Sequence, residues 1–110
     1  MIVEITTRHT KASGVHEYAE QKANELGAAF PRIEHIQVVF DVQKHLHDAE
    51  LIIRGKAHLD VEANGSADAF GPALDIACER ALKQLRRFED KIQEHRKRVK
   101  TPAVEENESI

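Results

Sequence analysis

One cysteine, no tryptophan, one tyrosine and three prolines in 110 residues exclude several protein classes before any motif is sought. A lone Cys78 closes no internal disulfide, which rules out a disulfide-stapled scaffold and fits a reducing compartment. No apolar run exceeds a handful of residues, so no transmembrane helix is predicted. The start, MIVEITTRH, has neither a basic opening nor a long apolar stretch and does not read as a secretory signal. Aromatics make up 5% of the chain, too few to bind single strands by stacking bases. There is no GxSxG, phosphate-binding glycine loop, dinucleotide fingerprint or catalytic carboxylate pair. These absences lead us to expect a soluble, cytoplasmic, non-enzymatic protein without cofactor or membrane partner. Its length suffices for one core without metal or disulfide staples, since folding at this size hides roughly 65% of the unfolded surface.

The charge is unevenly spread. Overall it is −3, but residues 79–100 (ERALKQLRRFEDKIQEHRKRVK) hold nine Lys/Arg against four Asp/Glu. That segment is +5 and the other 88 residues sum to −8. A basic segment on an acidic body reads as a patch for an anionic partner, or else as a solvated helix end.

Periodicity predicts six elements. Val3 and Ile5 alternate with Glu4, Thr6 and Arg8 in a first strand. Ser13 is a candidate N-cap for the amphipathic stretch VHEYAEQKANEL, which Gly27 and Pro31 weaken and stop. Ile36, Val38, Phe40 and Val42 share one face of a second strand, with Val39 the exception. KHLHD reads as a turn before a third strand starting with Ala49, Leu51 and Ile53. Gly55-Lys56 turns the chain into a fourth strand, with Leu59, Val61 and Ala63 inward, and Asn64-Gly65 ends it. Leu74, Cys78, Ala81, Leu82, Leu85, Phe88 and Ile92 recur every three or four residues, the apolar stripe of a long helix. The order β-α-β-β-β-α predicts an α+β domain over residues 1–100, a four-stranded mixed sheet with both helices on its apolar face. Adjacent first and second strands would be parallel and the rest a meander. Residues 101–110 (TPAVEENESI) read as a flexible acidic tail.

At about 100° per residue, Arg80, Lys83, Arg87 and Lys91 project opposite the stripe, with Arg86 on one flank and Arg96, Lys97 and Arg98 extending the charge. Cations about 5–6 Å apart along one face suit neighbouring phosphates, and so structured RNA bound through backbone and shape. His45-Leu46-His47-Asp48 could supply part of a zinc site, but nothing nearby completes the ligand set, and a polar turn is the better reading. Cys78, on the apolar stripe, reads as a small hydrophobe rather than a nucleophile.

Taken in order, IVEITTRHT, SGVHEYAEQKANELGAAFPRI, IQVVFDVQK, AELIIRGKAHLDVEANG and ALDIACERALKQLRRFEDKI resemble the short ribosome hibernation factors, a family also known as sigma-54 modulation proteins. The resemblance spans residues 2–98. It implies a translation inhibitor of stressed or stationary-phase bacteria that binds the small ribosomal subunit, in free subunits and in 70S ribosomes, at the channel for messenger and transfer RNA. It further implies contacts to ribosomal RNA from Lys22, Lys44, Arg80, Lys83, Arg86, Arg87 and Lys91. Lys22 and Lys44 rest on the resemblance alone. Where family members often carry a second lysine on the first helix, this chain has Glu25. The second helix opens with DAFGPALD, one residue longer than usual, with Pro72 in its first turn. No ribosome-pairing C-terminal domain is expected, and the tail resembles that of ribosome-associated inhibitor A. A monomer is expected off the ribosome. The alternative is a small protein-binding regulator that uses its exposed sheet face.

Overall fold

A computed structural model describes residues 1–10 and 13–100, with side chains described except at Ser13 and residues 96–100. The elements are β1 (Ile2–Arg8), a 3-10 turn (Ser13–Val15), α1 (His16–Ala29), β2 (Ile33–Gln43), β3 (Leu46–Gly55), β4 (Leu59–Ala67) and α2 (Phe70–Lys100). This is the expected β-α-β-β-β-α order. The sheet runs β1-β2-β3-β4, with β1 parallel to β2 and the other pairs antiparallel.

Register explains why one face is apolar. Ile5 pairs with Val38, Val38 with Leu51, and Leu51 with Ala63. Strand side chains alternate, so residues paired across the sheet share a face and each such row is continuous from edge to edge. A second row joins Val3, Ile36, Ile53 and Val61. Both helices cover these rows: α1 buries Ala19, Ala23 and Leu26, while α2 buries Ala73, Leu74, Ala77, Ala81 and Leu85. Alanines at these places let the helix backbones lie close to the sheet.

Local signals mislead at four places. Ser13 opens the 3-10 turn instead of capping α1, whose N-cap is Val15 without a side-chain bond. Gly27 lies inside α1, against Met1. The turn before β3 is only Lys44-His45, with Lys44 in the left-handed region at φ 57°. Finally, β4 runs through Asn64-Gly65 to Ala67. Gly65 serves space: a Cβ there would lie 2.4 Å from the Ala73 carbonyl oxygen of α2. Val39 faces outward yet is buried.

Candidate nucleic-acid interface

The position of α2 follows from its composition. Its alanine and leucine stripe sits on β3 and β4, which leaves Arg80, Lys83, Arg86, Arg87 and Lys91 exposed. From Arg80 to Lys91 the row covers about 16 Å of helix. Two polar side chains fix the helix's rotation. Arg80 Nη1 donates to the Asn64 carbonyl at 2.8 Å, and Gln84 Nε2 to the Glu62 carbonyl at 2.9 Å. Arg80 thus braces β4 with one donor while its fork keeps others for an anion. Residues 101–110 and the side chains of Arg96, Lys97 and Arg98 lie outside the described residues.

Lys22 is placed differently. It is half-buried on α1, its ammonium 5.4 Å from the centroid of the Tyr18 ring. The Tyr18 hydroxyl donates to the Asp75 carboxylate, tying α1 to α2. That bond, then burial, pushes the Tyr18 hydroxyl above its ordinary value. Burial works against charge on Lys22, but Tyr18, Asp75 and Glu25 outweigh it and hold the ammonium above its usual range. Beside this network runs a groove of about 410 Å³ between the helices. Cys78 lines it, and burial pushes its thiol up to about 11, far from a neutral-pH nucleophile.

Lys44 stands apart. It occupies the β2–β3 turn, where Gln43–Leu46 meet Ala67 and Asp68 just before α2 begins. The structure therefore brings five of the expected cations together on α2, sets Lys22 across the interhelical groove, and leaves Lys44 at the end of the sheet. The adjoining histidine cluster is divided. His45 is exposed in the turn. His47 points to the core side, its ring 4.5 Å from that of Phe70 and its buried Nδ1 without a hydrogen-bond partner among the described residues. Asp48 accepts from Ser66.

The far side of the sheet has the opposite charge. Glu4, Asp41, Asp48, Glu50, Asp60 and Glu62 all belong to its outward rows. Arg54 there reaches Asp60 at 3.6 Å and Glu62 at 3.8 Å, and His35 pairs with Glu4 at 2.9 Å. An RNA backbone would be repelled from this face and drawn to α2. Sequence reading missed the braces of the site: Tyr18–Asp75 and the Arg32–Glu89 pair, at 3.0 Å and 3.4 Å, which ties the α1–β2 connection to α2. Partners 57 residues apart leave no local signal.

Residues 3–93 match the family described as Sigma 54 modulation protein / S30EA ribosomal protein. The chain is 30% identical over 95 residues to the ribosome hibernation promoting factor of Salmonella typhimurium, covering 84% of this chain and 90% of that one. Among solved structures, a ribosomal subunit interface protein from Coxiella burnetii superposes with a TM-score of 0.75 at 16% identity, over 82% of this chain and 99% of its own. The N-terminal domain of Thermus thermophilus Protein Y gives 0.70 at 21% identity, over 80% and 99%. At those identities the two structures speak to the fold. Among the described residues, no helix is long and apolar enough to cross a membrane.

Proposed function

The chain belongs to the Sigma 54 modulation protein / S30EA ribosomal protein family, and we propose that it is a ribosome hibernation factor that binds the small subunit at the messenger and transfer RNA channel. There it blocks translation by occupancy, without catalysis or cofactor, in the cytoplasm, and it is a monomer when free. The observation that carries this reading is the exposed cation row of α2, set opposite an acidic sheet face. A molecule polarised in this way presents one side to ribosomal RNA and turns the other away. Arg80, Lys83, Arg86, Arg87 and Lys91 are assigned to phosphates, with Lys22 and Lys44 as outlying contacts. The curated relative's name, ribosome hibernation promoting factor, supports the same role.

Co-sedimentation with small subunits and 70S ribosomes across a salt series tests this reading. If five cations each displace a phosphate counterion, log K should fall against log salt with a slope of about −3.5 to −4.5. Lys83→Glu combined with Arg87→Glu should abolish sedimentation while leaving the circular dichroism unchanged, because both side chains are exposed. Undiminished binding by that double variant would refute the row. Salt-insensitive binding to a protein, independent of RNA, would favour the sheet face instead.

A further inference from the structure

The groove between α1 and α2 differs in character from the row beside it. Its walls include Leu26, Cys78 and Leu82, all apolar, while its rim carries the carboxylates of Glu25, Asp75 and Glu79 and the ammonium of Lys22. One ammonium among three carboxylates cannot hold a run of phosphates, so the groove is not a continuation of a backbone-binding surface, though Lys22 leaves a place for a single anion. It suits a flat, largely apolar group that has N–H donors along one edge and an anion attached nearby. An unstacked nucleotide has that pattern.

The carboxylates are not equally available. Asp75 accepts from Tyr18, and Glu25 accepts from Gln21 at 3.2 Å. Glu79 is exposed, and no hydrogen bond or ion pair engages it among the described residues. It lies one helical turn from both Asp75 and Leu82, on the groove wall that α2 supplies. A carboxylate offers two acceptors side by side. Among the four RNA bases, guanine alone presents two adjacent donors, N1–H and N2–H, on its pairing edge. An arginine side chain from a protein would suit the carboxylates too, but it brings no anion for Lys22, steadied over the Tyr18 ring, whereas a nucleotide supplies donors for the carboxylates and an anion for the ammonium. A volume of about 410 Å³ accommodates one base.

We propose that this groove receives one unstacked guanine of the bound RNA, its pairing edge on Glu79 and its phosphate at Lys22. The inference rests on the RNA-binding reading and adds base recognition to it.

Kethoxal, which modifies N1 and N2 of unpaired guanines, is the probe, applied to small subunits with and without the full-length protein. Sedimentation of the same samples reports binding. Glu79→Gln removes the charge and one of the paired acceptors at an exposed position. The expected result is a guanine protected by the wild type whose protection weakens about fivefold or more with Glu79→Gln, while the variant still sediments. If both proteins sediment and no guanine's protection depends on Glu79, the groove proposal is overturned and the row stands. Protection that depends on Glu79 at adenine or cytosine, read with dimethyl sulfate, overturns the choice of guanine. If Glu79→Gln weakens sedimentation without changing any base reactivity, a protein's basic side chain occupies the groove and the proposal fails. Absence of sedimentation by the wild type overturns the RNA reading itself, and this inference with it.

Discussion

Alanine at position 65 would test how closely α2 is seated on the sheet. The added Cβ would lie 2.4 Å from the Ala73 carbonyl oxygen, 2.7 Å from Ile76 Cβ and 2.8 Å from the Ala77 nitrogen. Two of these are backbone atoms of α2 and cannot rotate aside. Restoring ordinary contact requires the helix to lift by about 1 Å, loosening the buried side chains of Ala73, Leu74 and Ala77. Overpacking of this kind costs about 1–3 kcal/mol, and the loss of a strand glycine's extra unfolded-state freedom returns roughly 0.5–1 kcal/mol. Taking the middle of each range, the net expectation for Gly65→Ala is a destabilisation of about 1.3 kcal/mol. At a urea dependence of about 2 kcal/mol per molar, the middle of the usual range, the unfolding midpoint should fall by about 0.6 M. Gly71 provides the control. A Cβ there meets nothing within 4 Å, and its φ is not positive. In the first turn of α2, Gly71→Ala should therefore stabilise by about 0.4–1 kcal/mol. Urea titrations followed by circular dichroism measure both. A Gly65→Ala protein as stable as the wild type would refute the close seating of helix on strand.

Other expectations follow from the same contacts. The Cys78 thiol, raised from 9.0 to about 11, should react with iodoacetamide at pH 8 about 100-fold more slowly than a free thiol, as its thiolate fraction dictates. Because the folded state holds that proton more tightly, its contribution to stability is complete below pH 9.0 and lost as pH climbs toward about 11. Asp41 moves the other way: the His9 bond leads, burial opposes it, and the Val42 amide helps hold the carboxyl below its ordinary value. Its stabilisation is thus present above the usual carboxylate range and lost as pH falls below it. NMR titration should show His9→Ala returning Asp41 upward. Arg32→Ala should lower the melting temperature by releasing Glu89 from the α1–β2 connection, and an unchanged melting curve would count against that brace.

How much was legible beforehand depended on whether the cause was local. The alternation of Ile36, Val38 and Phe40 and the stripe of α2 are one-element patterns; the strand residues landed on the buried face with Leu74, Ala81 and Leu85 of the stripe, while Leu82 lines the interhelical groove and Ala73 and Ala77 join the core unexpectedly. The start of β3 was hidden because Leu46, its first residue, is exposed, and a histidine, His47, takes the next core-side position. Asn64-Gly65 reads as a turn, yet the glycine is there because α2 needs room above it. The exposure of the cation row followed from helical spacing, except that Arg80, expected opposite the stripe, turns back to the Asn64 carbonyl of β4. Lys22's setting did not, since Asp75 lies far along the chain, and nothing in the sequence announces an interhelical groove.

Arg80 and Gln84 have a consequence beyond fixing the rotation of α2. The carbonyls they occupy, on Asn64 and Glu62, belong to a strand that among the described residues pairs with β3 alone, so they lie along a margin of the sheet. A foreign extended chain arriving there finds alternate acceptors already taken. The opposite margin, β1, has only β2 for a neighbour, and no helix side chain bonds along it among the described residues. The two borders are therefore unequal. Strand-upon-strand polymerisation needs an open border at both ends of every copy. With two acceptors of the β4 border occupied, pairing of β1 with β1 is the easier contact, and that contact stops at two copies.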